Sequence, residues 1–357
     1  MKALVLSGGT GSRLRPITHT FAKQLIPIAN KPILFYGLEA IAAAGIKEVG
    51  VVVGDTHQEI RRAVGDGSVF GLKVTYIHQE APLGLAHAVK ISRDFLKEDS
   101  FVMYLGDNLL KSGLEGVVEA FEAERPNSQI LVARVPNPQQ FGVVELRGDV
   151  VVSLQEKPLH PRSDLALVGV YLFDKNIHRA VESIRPSGRG ELEITDAIQW
   201  LVDNKFRVVP RRIDGWWKDT GKLEDLLEAN RILLEGAPDS ASSNGKARID
   251  SRSKLEGRVI FEEGVELVES TIRGPAIIGK NTKIIRSYIG PFTSISHDVL
   301  VEDSELEHSI LLESSTVKGI RRIQDSLIGQ RVKIIKSLQK PQAYRIMVGD
   351  SSLVEIP

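Results

Sequence analysis

The chain has no cysteine among its 357 residues. This absence excludes disulfides, thiolate metal sites and a cysteine nucleophile. The 46 basic and 46 acidic residues balance, so no long-range field holds a nucleic-acid backbone or an anionic membrane. No apolar run reaches the roughly 18 residues that a membrane-spanning helix needs. We therefore expect a cytoplasmic protein that binds neither nucleic acid nor membrane and that holds any anion through local groups.

The length favours two domains. As far as about residue 234, short β-branched runs alternate with longer amphipathic stretches. This alternation predicts an α/β fold with a Rossmann-like, mixed and mostly parallel sheet. The small polar residues between Glu235 and Gly245 are typical of a linker. We predict a first domain at 1–236, a linker at 237–248 and a second domain at 249–357.

Hydrophobic periodicity predicts individual elements in the first domain. Strands are expected at Ala3–Leu6, Glu48–Val53, Lys73–Ile77, Phe101–Leu105, Gln129–Arg134 and Val168–Phe173, with a hairpin formed by Gly142–Leu146 and Val150–Leu154. Helices are expected at Lys31–Ala44, Gln58–Val64, Ala86–Phe95, Leu114–Glu124, Glu193–Asn204 and Lys222–Leu234.

The second domain contains a short repeat. The windows Ile278–Ile284, Ile289–Ile295 and Ile328–Ile334 each place an aliphatic residue at both ends, glycine second and a small or β-branched residue fifth. An aliphatic residue every six positions resembles the hexapeptide left-handed parallel β-helix. An irregular β-sandwich with chance matches is the alternative. Because exposed β-helix edges must be capped or paired, we expect a homo-oligomer.

A glycine-rich loop follows the first strand, between Ser7 and Pro16. Glycines there allow backbone N–H groups to approach an anion. The loop is not a Walker A motif, and Leu14 stands where a dinucleotide fingerprint has glycine or alanine. Arg13 and Lys23 add cations close in sequence, which favours a triphosphate as the bound anion.

Together with Lys23–Ile28 and Lys31–Ile33, this loop resembles the signature G-G-x-G-x-R-L-x-P of the sugar-phosphate nucleotidyltransferases. Matching segments follow in the same order at Gln79–Ala88, Phe141–Val144, Gln155–Pro158, Leu167–Tyr171 and Arg189–Asp196. The resemblance covers about residues 1–235, and the β-helix tail matches the longer members. It implies Mg²⁺-dependent transfer from dTTP (or UTP) to glucose 1-phosphate, with release of pyrophosphate by in-line attack and no covalent intermediate.

The resemblance also implies residue roles. The residues that would bind the nucleotide are Leu6, Gly8, Gly9, Thr10, Gly11, Gln24, Gln79, Pro82 and Gly84. Those that would bind the sugar phosphate are Gly142, Glu156, Lys157, Val168, Arg189 and Trp217. The catalytic set would be Arg13, Lys23, Asp107 and Lys157, and Mg²⁺ would lie between Asp107 and Asp219. Hard carboxylate ligands suit that ion.

Three alternatives are weighed. A UTP-using or N-acetylglucosamine-1-phosphate enzyme keeps the same mechanism. A non-catalytic regulatory relative would be expected to lose the catalytic set, whereas Arg13, Lys23, Asp107, Lys157 and Asp219 are present. An NAD-dependent dehydrogenase does not fit the broken dinucleotide fingerprint. Phe141 stands where the family usually has tyrosine, so a hydrogen bond from that hydroxyl is not expected here.

Overall fold

The computed structural model describes residues 1–9, 11–19, 21–213, 215–237 and 247–337. Two compact units share this chain. The first comprises Met1–Gly11, Phe21–Leu25 and Ile33–Asp219, and the second comprises Ser12–Thr20, Ile26–Pro32 and the chain from Thr220 onward. The boundaries at 1–236, 237–248 and 249–357 stay a prediction, and the linker residues 238–246 lie outside the described residues.

Short strands and helices alternate as far as residue 236. The strands are β1 (Lys2–Ser7), β2 (Pro27–Ile28), β3 (Lys31–Pro32), β4 (Glu48–Val53), β5 (Lys73–His78), β6 (Phe101–Leu105), β7 (Asn108–Leu110), β8 (Ser128–Arg134), β9 (Gly142–Arg147), β10 (Val150–Glu156), β11 (Leu165–Phe173), β12 (Val208–Arg212) and β13 (Trp217–Asp219). The helices are α1 (Ile33–Ala43), α2 (His57–Val64), α3 (Leu85–Ile91), α4 (Arg93–Leu96), α5 (Glu115–Glu124), α6 (Ile177–Ser183), α7 (Ile194–Asp203) and α8 (Leu223–Gly236). Short 3-10 helices cover Ser12–Leu14, Ile17–His19, Lys23–Leu25, Ser68–Phe70 and Pro138–Gln140.

The first unit is built on a mixed sheet with the strand order β10-β9-β11-β6-β1-β4-β5, and β8 pairs with both β11 and β12. Its central pairs, β6 with β1, β1 with β4 and β4 with β5, are parallel. Apolar residues on both faces of the sheet form two buried clusters with the helices. The predicted α/β fold class is confirmed. The carboxyl ends of β1, β4 and β6 share one edge, where ligands gather in open α/β sheets.

Two helices differ from their predicted extents because of local hydrogen bonding. Helix α1 begins at Ile33 rather than Lys31, since Lys31 and Pro32 pair with β2 in a hairpin. The predicted helix Ala86–Phe95 divides into α3 and α4 at Ser92. The Ser92 hydroxyl is buried and donates a 2.6 Å hydrogen bond to the carbonyl of Ala88. Back-bonding of this kind bends helices.

Short strands in the second unit form three parallel sheets. Those strands are β14 (Ala247–Ile249), β15 (Lys254–Glu256), β16 (Val259–Phe261), β17 (Val265–Val268), β18 (Thr271–Arg273), β19 (Ala276–Ile278), β20 (Lys283–Ile285), β21 (Tyr288–Ile289), β22 (Thr293–Ile295), β23 (Leu300–Glu302), β24 (Glu305–Glu307), β25 (Ile310–Leu311), β26 (Thr316–Lys318), β27 (Ile323–Gln324), β28 (Leu327–Ile328) and β29 (Lys333–Ile335). Every third strand pairs, so the chain visits the three sheets in turn. This architecture is consistent with the predicted left-handed β-helix and excludes the β-sandwich alternative.

The coil of this β-helix is shorter than three hexapeptides. Ile272, Ile289, Leu306 and Ile323 stack in register at intervals of 17 residues. Each repeat window found in the sequence crosses one corner of the coil, and its first and last aliphatic residues are six positions apart. The step from the buried Ile284 to the buried Ile289 is one residue shorter. This shorter corner explains why the windows are unevenly spaced.

The second unit also contains a buried polar junction. Asn230 of α8 accepts hydrogen bonds from the backbone N–H of Ala29, at 2.9 Å, and from the hydroxyl of Ser294, at 2.6 Å. Its amide donates to the carbonyl of Phe292 at 2.8 Å, and its side chain is fully buried. Asn30 donates to the carbonyl of Ile295. The β2–β3 hairpin, α8 and the β-helix are therefore joined by one hydrogen-bond network.

The contacts of His297 with two carboxylates predict that the stability of the β-helix depends on pH. Its Nδ1 and Nε2 each lie 2.8 Å from a carboxylate oxygen, of Asp298 and Glu313 respectively. The hydrogen bond to Asp298, together with both negative charges, raises the pKa of His297. Because the folded pKa is the higher one, the stabilisation is complete below the unfolded pKa of about 6.5 and is lost as pH rises through the folded pKa.

We therefore expect His297→Gln to lower the free energy of unfolding more at about pH 5.5 than at about pH 8.5. Urea unfolding at both pH values measures this difference, with His160→Gln, on an exposed loop, as the control for buffer effects. An equal cost at both pH values contradicts the assignment.

Candidate active site

The glycine-rich loop lies at the carboxyl end of β1, next to the residues predicted to bind the nucleotide. A Cβ atom on Gly8 would lie 3.4 Å from Oε1 of Gln79, and one on Gly9 would lie 3.3 Å from Cε of Lys23. Gln24 is 1% exposed, and its Oε1 has no hydrogen-bond partner among the residues that the structure describes. Since an unpaired buried oxygen is costly, the Gln24 amide is suited to a ligand at this loop.

Lys23 and Asp107 form an ion pair beside this loop. Burial raises the pKa of Asp107, but the charge and the hydrogen bond of Lys23 outweigh burial and hold that pKa below its ordinary value. Asp107 is therefore ionised at neutral pH. Nδ2 of Asn108 also donates to Oδ1 of Asp107, at 3.1 Å, which orients the carboxylate.

Asp219, the second predicted metal ligand, lies on a strand that pairs with the strand directly after Asp107. Strands β7 and β13 pair so that Asp219 stands opposite Asn108, the residue after Asp107. Nε1 of Trp217, on the same strand as Asp219, donates a 2.6 Å hydrogen bond to Oδ1 of Asn108. A divalent cation such as Mg²⁺ takes one or two carboxylates together with phosphate oxygens. The ionised Asp107 and Asp219, which is paired opposite the residue that follows Asp107, are ligands of the kind that such an ion takes.

Gln79 and Gly84 belong to the loop between β5 and α3. Nε2 of Gln79 donates to the carbonyl of Gly84, at 3.2 Å, and to Nδ1 of His87, at 3.0 Å. Burial and the charge of Lys90 lower the pKa of His87, so its imidazole is neutral at neutral pH. Pro82 is exposed in the same loop.

Three of the predicted sugar-phosphate residues, Gly142, Lys157 and Arg189, lie around a fourth, Glu156. Nζ of Lys157 and Nη2 of Arg189 lie 3.8 and 3.9 Å from Oε1 of Glu156. A Cβ on Gly142 would lie 3.1 Å from Oε2 of Glu156 and 2.7 Å from Thr195. Burial raises the pKa of Glu156 against the opposing charges of the two cations. Because Lys157 and Arg189 remain 46% and 38% exposed, both can reach an incoming anion.

Other predicted residues have more limited roles in the structure. The side chain of Val168 is fully buried in the sheet core, so only its backbone can face a ligand. Leu6 is buried at the end of β1, and Gly11 has a positive φ of 64°. Thr10 lies outside the described residues. Arg13 is exposed on a short 3-10 helix of the second unit.

Sequence reasoning missed two residues that hold the predicted ones in place. Asn108 connects Asp107 to Trp217 by two hydrogen bonds. Glu193 is 4% exposed and accepts two hydrogen bonds from Arg189, each 3.1 Å long. Both residues stand next to predicted motif positions, but their partners are visible only in the fold.

The chain is similar to known nucleotidyltransferases. The family model described as Nucleotidyl transferase matches residues 2–236. The chain is 57% identical to a glucose-1-phosphate thymidylyltransferase of Streptomyces griseus, over the whole chain and 99% of that relative. It is 54% identical to one of Streptomyces antibioticus, with the same coverage. A solved chain of Bacillus anthracis, assigned as a glucose-1-phosphate thymidylyltransferase in complex with sucrose, covers 67% of this chain and is itself covered to 96%, at 32% identity and a TM-score of 0.63.

In the part of the chain that the structure describes, no helix is long and apolar enough to cross a membrane. Nucleotidyltransferases of this family take a nucleoside triphosphate and a sugar phosphate as substrates and generally use a divalent metal. The matched family model spans the glycine-rich loop, the Lys23–Asp107 pair and the cluster around Glu156. The chain therefore belongs to the nucleotidyl transferase family, as its sequence motifs predict.

Proposed function

We propose that this chain transfers the nucleotidyl group of dTTP to glucose 1-phosphate, giving dTDP-glucose and pyrophosphate. The observation that carries this proposal is the Lys23–Asp107 pair beside the glycine-rich loop, with Asp219 paired opposite Asn108, the residue after Asp107. Full-length relatives at 57% and 54% identity that carry the thymidylyltransferase name support the choice of base and sugar.

The reaction needs no protein nucleophile, because the phosphate dianion of the sugar can itself attack the α-phosphorus in line. Catalysis then consists of bringing two polyanions together and aligning them. Lys23 neutralises the triphosphate, a role that the sequence motif also predicts for Arg13, and Lys157 and Arg189 hold the incoming phosphate. Glu156 accepts hydrogen bonds from the sugar hydroxyls. Gln79 offers an amide donor and an acceptor to one edge of the pyrimidine.

Asp107 and Asp219 are the residues that would hold Mg²⁺. When bound, this ion neutralises phosphate charge and polarises the α-phosphate. The Lys23 ammonium, which pairs with Asp107, would bind the triphosphate. Assembly into a homo-oligomer and a cytoplasmic location stay predictions from the sequence.

Pyrophosphate release with Mg²⁺ tests the proposal. Glucose, N-acetylglucosamine, mannose and galactose 1-phosphates are each assayed against dTTP, UTP, GTP, ATP and CTP. We expect one dominant signal, for glucose 1-phosphate with dTTP. Dominance of UTP or of the amino sugar overturns the proposed substrates, and silence across the grid overturns the proposed activity.

The position of Lys157 predicts a selective loss of sugar-phosphate binding. We expect Lys157→Ala to raise the KM for glucose 1-phosphate by about 10-fold, because a charge-assisted contact to phosphate is removed. The KM for dTTP should change by less than about 2-fold, because Lys157 is proposed to contact the sugar phosphate and not the nucleotide. Steady-state kinetics with each substrate varied measures both values.

Lys175→Ala is the matched control, since Lys175 is an exposed lysine of the same unit, paired with Glu98 at 3.4 Å. A larger rise in the KM for dTTP than in that for glucose 1-phosphate would be evidence against the role given to Lys157.

A further inference from the structure

Two loops of the first unit cross at Gly84 and Leu192. The backbone N–H of Leu192 donates to the carbonyl of Leu83 at 2.8 Å, and the N–H of Ala86 donates to the carbonyl of Leu192 at 3.0 Å. These reciprocal bonds join the loop after β5 to the loop before α7. A two-bond backbone bridge fixes the relative position of the segments that it joins.

Only glycine fits at the centre of this crossing. Gly84 has a φ of 102°, and a Cβ there would lie 2.3 Å from the carbonyl oxygen and 2.7 Å from the nitrogen of Leu192. Backbone atoms cannot yield as a flexible side chain would. The missing Cβ therefore accommodates the Leu192 backbone.

The crossing lies between residues proposed for opposite substrates. On one side, the Gln79 amide donates to the carbonyl of Gly84. On the other side, Glu193 directly follows Leu192 and holds the Arg189 guanidinium through two hydrogen bonds. Ser187 donates to the same Glu193 carboxylate at 2.8 Å. An unbroken series of contacts thus runs from the proposed base reader to the proposed phosphate cation.

We propose that Gly84 and Leu192 are positioning residues for the sugar phosphate, and that occupancy of the base loop by a nucleotide orders the loop that carries Arg189. The inference rests on the proposed function and adds to it a coupling between the two substrate sites. A nucleotide that restricts the motion of Gln79 and Gly84 also restricts the motion of Leu192. Through Leu192 it restricts the Glu193–Arg189 pair. Coupling of this kind is reciprocal for the two binding steps.

Steady-state kinetics of Gly84→Ala tests the positioning role. We expect the KM for glucose 1-phosphate to rise by about 10-fold, within the range typical of coupled sites. In an Arg189→Gln background the same substitution should change that KM by less than about 2-fold, because the side chain that it displaces is already absent. An unchanged KM for glucose 1-phosphate, or an equal rise in both backgrounds, overturns the inference.

Gly45→Ala is the matched control, since Gly45 has a φ of 79° and, apart from its two chain neighbours, no described residue has an atom within 4 Å of the position that a Cβ would occupy there. This substitution introduces backbone strain in the same unit, at a position where no second segment crosses the chain as Leu192 does at Gly84. A wild-type protein that shows no turnover with any sugar phosphate contradicts the proposed function itself, independently of the Gly84 result.

Hydrogen exchange on the unmodified protein keeps the inference testable if Gly84→Ala does not fold. The probe is the α,β-methylene analogue of dTTP, which binds without reacting. We expect the analogue alone to slow exchange about 5-fold or more at the amides of Ala86 and Leu192 and in residues 187–193. Protection confined to the glycine-rich loop and residues 79–86 overturns the inference while leaving the proposed nucleotide site intact.

Discussion

We expect Asp107→Asn to lower kcat about 10²–10³-fold, the loss typical of removing one charged contact to the transition state. The substitution keeps the shape of the side chain but removes the charge that faces Lys23, and with it one of the two carboxylates proposed for Mg²⁺. Turnover at saturating substrates and the Kd for Mn²⁺ measured by titration calorimetry are the two readouts. Near-normal turnover with Mg²⁺ contradicts the metal assignment.

The unfolding free energy of Asp107→Asn measures what the ion pair with Lys23 contributes to stability, separately from the contribution of Asp107 to turnover. Asp107→Asn leaves the largely buried Lys23 ammonium without its anion, which we expect to cost about 3 kcal/mol of unfolding free energy. The double variant Lys23→Met, Asp107→Asn should recover most of that stability, because replacing both partners of a buried pair is often neutral. It should recover no turnover. Asp94→Asn, at an exposed position of α4, is the control for loss of a carboxylate.

Asn230→Leu destabilises the second unit strongly. The substitution keeps the approximate volume but leaves the N–H of Ala29, the hydroxyl of Ser294 and the carbonyl of Phe292 without their partner. Each buried polar group left unpaired costs about 1–3 kcal/mol, so we expect a total loss of about 3 kcal/mol or more. Urea unfolding followed by circular dichroism measures this loss.

Glu224→Gln is the control for the Asn230 variant, because Glu224 is exposed on the same helix. Surface changes of that kind stay within about 0.5 kcal/mol. A cost for Asn230→Leu no larger than this control would contradict the role of Asn230 as the centre of the junction.

The sequence by itself was sufficient for features that depend on neighbouring residues. The glycine-rich loop after a β-branched strand, the hairpin of β9 and β10, and the aliphatic repeat all follow from local periodicity and turn residues. The family signature is local too, since its motifs are short runs of adjacent residues. For that reason the fold class and the family were predicted correctly before any contact was known.

Features that depend on strand pairing required the tertiary structure. Asp107 and Asp219 are 112 positions apart, and only the register of β7 with β13 places Asp219 opposite Asn108, the residue after Asp107. The reason why residue 84 is glycine lies at Leu192, and the partners of Asn230 lie at Ala29, Phe292 and Ser294. A sequence specifies local conformation through each residue's own preferences. Which distant backbone atoms come within hydrogen-bonding distance is decided by sheet register and packing, which involve the whole chain at once.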